Sequence, residues 1–131
     1  MYFIEARLRG IRLVKGKVKD CNVSYLFKKM DFKSVYDDAI KESKNDLNTI
    51  TGVVSLKVKK CNEFIAKSTD EDAKIFEVKA FVLDFDTDKK TKQTFIVVAD
   101  TLDEAKEIVQ DYSSTIESIV SVKETDILRI I

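Results

Sequence analysis

Apolar residues recur along the chain with two different periods, and each period predicts one type of element. One set recurs at i, i+3, i+4, i+7 and i+8, as on the buried face of an amphipathic helix. It comprises Phe32, Val35, Tyr36, Ala39 and Ile40. Asp31 is placed to cap the free amide groups, so we predict a helix from about Phe32 to Ser43.

A second set predicts a second helix. It comprises Leu102, Ala105, Ile108, Val109 and Tyr112. Thr101 would cap this helix, and Glu104 three residues later would complete a capping box.

Other segments alternate with period two, which is typical of strands that have one wet face. Near residue 55 the apolar positions are Val54, Leu56 and Val58, and the polar positions are Ser55, Lys57 and Lys59. We therefore expect the three apolar side chains to face a core.

The two halves of the sequence resemble each other. Residues 101–105 match residues 31–35 at an offset of 70, and residues 119–123 match residues 53–57 at an offset of 66. We predict two tandem β-β-α-β repeats, residues 1–66 and 74–131, joined by an exposed connection over residues 66–74. Each repeat would contain a right-handed β-α-β crossover.

These patterns predict an α+β fold. A unit of about 65 residues with one short helix buries little surface alone, so we expect residues 1–131 to form one pseudo-two-fold domain. Its sheet would be mixed and mostly antiparallel, with the two helices packed on one face.

Composition excludes several kinds of site. The chain has no histidine, and its three glycines form neither a P-loop nor a dinucleotide-binding fingerprint. Its two cysteines, Cys21 and Cys61, lack the spacing of metal or redox motifs. We therefore predict a protein that is not an enzyme and uses no cofactor and no metal.

The chain also lacks the features of membrane insertion. Charged residues interrupt every apolar run at the N-terminus, where Glu5, Arg7 and Arg9 alternate with apolar residues. We expect a cytoplasmic protein that does not associate with a membrane.

Asp84, Asp86 and Asp88 alternate as in the first part of a calcium loop. The glycine and the downstream glutamate of such a loop are missing, and Lys89 and Lys90 follow directly. The segment instead predicts the solvated tip of a hairpin.

The net charge of zero hides an asymmetry. Residues 1–66 contain 14 Lys and Arg against 8 Asp and Glu, a net charge of +6, whereas residues 67–131 contain 9 against 15, a net charge of −6. A basic strand face with aromatic residues could bind single-stranded nucleic acid by phosphate neutralisation and base stacking. The residues predicted to form this face are Arg7, Arg9, Lys17, Lys19, Tyr25, Lys57 and Lys59.

Other interpretations of this charge pattern stay open. Lysines also keep a sheet face wet and block edge pairing without binding anything. The chain could alternatively be a protein-interaction or regulatory adaptor that acts through a sheet edge or the acidic repeat. The opposed charges could also drive association of copies into a homo-oligomer.

Several sequence segments resemble those of a family of domains of unknown function from Bacteroidetes bacteria, their mobile elements and their phages. They are Tyr2-Phe3-Ile4-Glu5, Tyr25-Leu26-Phe27 with Asp31-Phe32-Lys33-Ser34-Val35, Asn62-Glu63-Phe64-Ile65, and Phe76-Glu77-Val78-Lys79-Ala80 with the turn over residues 86–92. The resemblance covers the whole chain, although this chain has no tryptophan near its start. It implies a small accessory protein, and it brings no catalytic residues.

Overall fold

The computed structural model describes residues 1–68 and 70–131. In this part of the chain, the strands form two four-stranded sheets, and one helix packs against each sheet. The helices are α1 (Phe32–Ser43) and α2 (Leu102–Gln110). The strands are β1 (Tyr2–Val14), β2 (Lys17–Phe27), β3 (Thr49–Lys60), β4 (Glu63–Ala66), β5 (Lys74–Asp84), β6 (Lys89–Ala99), β7 (Ile116–Glu124) and β8 (Ile127–Ile130).

The strand order is β3-β1-β2-β8 in one sheet and β4-β6-β5-β7 in the other. The β1–β2, β5–β6 and β5–β7 pairs are antiparallel, and the β2–β8 and β4–β6 pairs are parallel. The α+β class and the mixed sheet are thus confirmed. The expectation of one sheet carrying both helices was wrong, because strand order depends on long-range pairing that local periodicity does not encode.

Each sheet takes its short closing strand from the other half of the sequence. Phe64 of β4 pairs with Ile96 of β6, and Ile130 of β8 pairs with Leu26 of β2. Phe64 and Ile130 are 66 residues apart, and Leu26 and Ile96 are 70 apart, which are the two offsets of the sequence repeat. The registers are therefore compatible with the predicted repeat.

The chain divides into two compact units. The first unit comprises residues 2–59 and 126–131, and the second comprises Met1 and residues 60–125. The predicted single domain with boundaries at residues 66 and 74 stays a prediction. The predicted exposed connection over residues 66–74 includes Thr69, which lies outside the described residues.

Helix α1 has the predicted bounds and cap. The Asp31 side chain accepts a hydrogen bond from the Lys33 amide at 3.2 Å. Val35 and Ala39 are buried in the core of the first unit, whereas Phe32 and Tyr36 of the predicted stripe stay exposed. The buried stripe of this helix is thus narrower than the sequence indicates.

The cap of α2 also agrees with the sequence. Thr101 accepts a hydrogen bond from the Glu104 amide at 3.1 Å. The Glu104 carboxylate accepts from the amide of Asp100 at 3.4 Å, one residue before the cap. The capping box is therefore present in a shifted form.

The edge strands β3 and β7 depart from simple alternation. Ile50, Val53 and Leu56 pack against the first core, and Ile116, Ile119 and Val122 pack against the second. This spacing of three residues accompanies two register shifts between β5 and β7, at Lys79/Ala80 and at Phe81/Val82.

The predicted inward set of β3 is therefore partly wrong. Leu56 does pack against the core, but Val54 is 51% exposed and Val58 is 49% exposed. Period-two alternation fails here because the inward positions of β3 are three residues apart.

Gly10 of β1 lies against the start of β3 and provides a stability test. A Cβ atom at Gly10 would lie 2.6 Å from Leu47 Cδ1 and closer still to the backbone oxygen of Thr49. We expect Gly10→Ala to lower the free energy of unfolding by about 2 kcal/mol, because the backbone of Thr49 would have to shift. Urea unfolding followed by circular dichroism measures this change.

Gly52→Ala is the matched control, since no atom lies within 4 Å of the equivalent Cβ position. It should be neutral or stabilising by up to about 1 kcal/mol, because alanine restricts the unfolded chain. Equal stability of the two variants would contradict the close approach at Gly10.

Candidate functional site

The residues predicted to form one basic face lie in different places. Arg7 and Arg9 share one face of the first sheet with Glu5 by alternation along β1, and Lys59 reaches this face through its contact with Glu5, whereas Lys57 is exposed on edge strand β3. Lys17 and Lys19 lie on the opposite face of the β1–β2 hairpin, because Lys19 pairs with Arg12 while Arg9 pairs with Asn22. Tyr25 lies in the core of the first unit.

The burial of Tyr25 corrects its predicted role. The side chain is 0% exposed, so no base can stack on its ring. Tyr25 belongs to the inward set of β2 with Val23 and Phe27, and its ring contacts Phe27 edge to face at 6.5 Å. The sequence shows an aromatic residue at this position but not which face of the strand is covered.

Acidic residues neutralise part of the sheet face. Arg7 Nη2 lies 2.7 Å from Asp126 Oδ2, and Lys59 Nζ lies 3.6 Å from Glu5 Oε2. Arg9 Nε donates a hydrogen bond to Asn22 Oδ1 at 3.5 Å. Arg7, Arg9 and Lys59 are thus engaged with neighbouring side chains, which reduces their attraction for an external anion.

The hairpin tip, residues 11–20, carries a denser basic surface. Lys15 and Gly16 have φ angles of 53° and 76°, as a two-residue hairpin turn requires. Arg12 lies opposite Lys19, and Val14 lies opposite Lys17. Within residues 1–68 and 70–131, Lys15, Lys17 and Lys19 make no ion pair, so their charges face solvent.

The α1–β3 loop holds the base of this tip. Arg12 Nε donates to the backbone oxygen of Asp46 at 2.9 Å. Asn48 donates its amide to the Ile11 oxygen at 2.8 Å and accepts from the Leu13 amide through Oδ1 at 2.8 Å. The tip is therefore anchored on one side while its lysines stay accessible.

The other face of the tip carries an exposed apolar pair beside Asp20. Leu13 and Val18 are cross-strand partners, and they are 55% and 67% exposed. Cations and an exposed apolar pair thus share a short two-stranded ribbon.

The equivalent hairpin of the second unit has a balanced charge. Lys89 lies opposite Asp84, and Lys90 Nζ lies 2.7 Å from Glu117 Oε1. Asp84 Oδ1 accepts a hydrogen bond from the Asp86 amide at 2.9 Å. This local turn bond occupies the Asp84 carboxylate, and the described residues contain no group of His, Cys, Asp or Glu suited to a metal ion.

A polar cluster in the first unit is absent from the sequence predictions. Arg129 of β8 forms ion pairs with Asp46 and, at 2.7 Å, with Glu42 Oε1. The Tyr25 hydroxyl donates to Asp46, and the Arg129 guanidinium lies 5.2 Å from the centre of the Tyr25 ring. Burial, followed by the hydrogen bond to Asp46, raises the pKa of Tyr25 well above its usual value.

This cluster links four parts of the first unit, which are β2, α1, the α1–β3 loop and β8. The residues of the cluster lie up to 104 positions apart in the sequence, from Tyr25 to Arg129. No local motif marks such a set, so the sequence offers no signal for it.

The family model for a domain of unknown function, DUF4494, matches residues 8–131. The chain belongs to the DUF4494 family. The predicted membership in a family of domains of unknown function is thereby confirmed. No curated protein and no solved structure matches this chain.

The matched residues of this DUF4494 chain include the whole hairpin tip and the Arg129 cluster. Across its described residues, the chain has no helix of the length and apolar character needed to cross a membrane.

The Tyr25 hydroxyl provides a pH-dependent test of the cluster. Its pKa is raised in the folded state, so the unfolded chain loses this proton first as the pH rises through about 10. Stability from this group is present below pH 10 and declines above it, by up to about 1.4 kcal/mol per pH unit. We expect Tyr25→Phe to reduce stability by about 1 kcal/mol at pH 7 and to weaken this alkaline decline.

Urea unfolding at pH 7 to 11 measures both effects. Tyr36→Phe is the control, because Tyr36 is exposed on α1 and the loss of its hydroxyl should leave the stability at pH 7 unchanged. An unchanged slope in Tyr25→Phe would show that Tyr25 ionises alike in both states.

Proposed function

We propose that this protein binds nucleic acid through the hairpin tip, by neutralising phosphates. The observation that carries the proposal is the group of Lys15, Lys17 and Lys19, which extend into solvent without an ion pair among the described residues. Phosphate contacts supply most of the affinity of non-specific nucleic-acid binding. Such contacts need accessible cations.

The local electrostatics support this proposal. Like charges directly opposite each other destabilise a strand pair, and Arg12 lies opposite Lys19. The second hairpin avoids the same cost by placing Asp84 opposite Lys89. A polyanion would relieve the repulsion at the hairpin tip.

The net charge of the first unit also favours binding of an anionic ligand. The first unit contains 14 Lys and Arg residues and 8 Asp and Glu residues, a net charge of +6. A positive unit attracts an anionic ligand and speeds its association.

The proposed site differs from the one predicted from the sequence. Lys17 and Lys19 remain in it, and Arg12 and Lys15 join them. Arg7, Arg9, Lys57 and Lys59 become a secondary surface, because two of these cations have carboxylate partners. The proposed activity is binding without catalysis, and the resemblance suggests a phage or mobile-element protein.

An adaptor that acts through a sheet edge is the second candidate. Edge strand β3 exposes Val54 and Val58, which a partner strand could cover. However, β3 also carries Lys57, Lys59 and Lys60, and β7 has register shifts, which are devices that block edge pairing. The hairpin tip is therefore the better supported site.

Fluorescence anisotropy with labelled DNA oligonucleotides, single-stranded and duplex, tests the proposal across a salt series. We expect the affinity to fall steeply as salt rises. The double variant Lys17→Glu, Lys19→Glu should bind at least about tenfold more weakly. Its log–log salt slope on duplex should be shallower by about 1.8, since each lost phosphate contact removes about 0.9.

Lys89→Glu, Lys92→Glu is the matched control, because it changes the net charge equally on the second hairpin. This control should retain most of the affinity and the full salt slope. Equal losses in both double variants would indicate a diffuse charge effect and contradict a site at the hairpin tip. No binding at low salt would refute the proposed function.

A further inference from the structure

We infer that the nucleic acid bound by the hairpin tip is a duplex, whose major groove the tip enters with Leu13 and Val18 against the base edges. This inference rests on the proposed function and adds the class of ligand and the mode of contact. Phosphate binding alone does not explain the exposed apolar pair on the hairpin tip. Leu13 and Val18 are cross-strand partners and are both more than half exposed.

Cationic side chains surround this pair. Lys15 lies in the turn, and Arg9 lies on the same face as the pair. The opposite face of the ribbon, called the rear face, carries Arg12, Lys17 and Lys19. A ligand that covers both the pair and the cations must present phosphates around an apolar surface. The major groove does so, since phosphates line its walls and thymine methyl groups lie on its floor.

The dimensions also agree. Paired strands lie about 4.8 Å apart, and the major groove of B-DNA is about 12 Å wide, so a two-stranded ribbon fits within it. Long cationic side chains on the rear face can extend sideways to the phosphates while the apolar pair faces inward. The anchoring of Arg12 and Leu13 by the α1–β3 loop orients the ribbon before it binds.

A single strand and a bilayer fit less well. Single-stranded ligands stack on aromatic side chains, and residues 9–22 contain no aromatic residue. A bilayer surface requires a larger apolar area than Leu13, Val18 and the partly exposed Ile11 supply.

The decisive experiment removes the thymine methyl groups. Anisotropy at fixed low salt compares a short A·T-rich DNA duplex, the same duplex with uracil in place of thymine, and the single strand. We expect the wild-type protein to prefer the thymine duplex to the single strand. The uracil duplex should bind about fourfold more weakly, the equivalent of ~0.8 kcal/mol for one buried methyl group.

The double variant Leu13→Ser, Val18→Ser should bind the thymine and uracil duplexes equally and keep the wild-type salt slope. Phe85→Ser is the matched control, because Phe85 is 64% exposed in the second hairpin turn and should not affect the methyl dependence. Circular dichroism establishes that each variant is folded.

The other possible results contradict groove insertion alone, or both groove insertion and phosphate binding. Binding that ignores the methyl groups, or a methyl effect that persists in Leu13→Ser, Val18→Ser, overturns groove insertion but leaves phosphate binding intact. Binding to phosphatidylserine vesicles but to no DNA overturns both statements and assigns the tip to a membrane surface. No binding to DNA or to vesicles overturns both as well.

Discussion

The parallel pairing of β8 with β2 is the interaction on which the first unit depends. It brings Arg129 to Glu42 and Asp46, and it closes the sheet through the Ile131 amide, which donates to the Leu26 oxygen at 2.7 Å. Asp46 belongs to the loop that holds Arg12 through a backbone oxygen. Contacts therefore run from the last strand, through this loop, to the base of the hairpin tip. The proposed binding surface is positioned by residues that are distant from it in sequence.

The two hairpins show how one backbone geometry carries two chemistries. Both connect long antiparallel strands through turns that contain a residue with positive φ, Lys15 and Gly16 in one and Asp88 in the other. In the second hairpin, aspartates and Glu117 balance the lysines. In the first, cations lie opposite one another and an apolar pair stays exposed. These two features of the first hairpin are the ones that the proposed binding mode uses.

Prediction from the sequence succeeded where the physical cause is local. Helix α1 begins after its capping Asp31, and α2 begins after Thr101, because the cap and the apolar stripe lie within a few residues of each other. It failed where the cause is distant. Val54 and Val58 face solvent because the inward positions of β3 are three residues apart, and Tyr25 is buried because α1 covers its face of β2. The single predicted basic face separates into two because strand register assigns Lys19 and Arg9 to opposite sides.

The sequence by itself determined the α+β class, both helices with their caps, the opposed charges of the two halves and a basic character for the first. These properties follow from composition and from contacts between near neighbours. Only the tertiary structure decided that the described strands pair into two sheets, that β4 and β8 each close the sheet of the other half, and that Lys15, Lys17 and Lys19 share an accessible tip with Leu13 and Val18. The physical reason is that register and strand order are set by pairing between residues far apart in the chain. A one-residue change in such pairing moves every side chain to the other face.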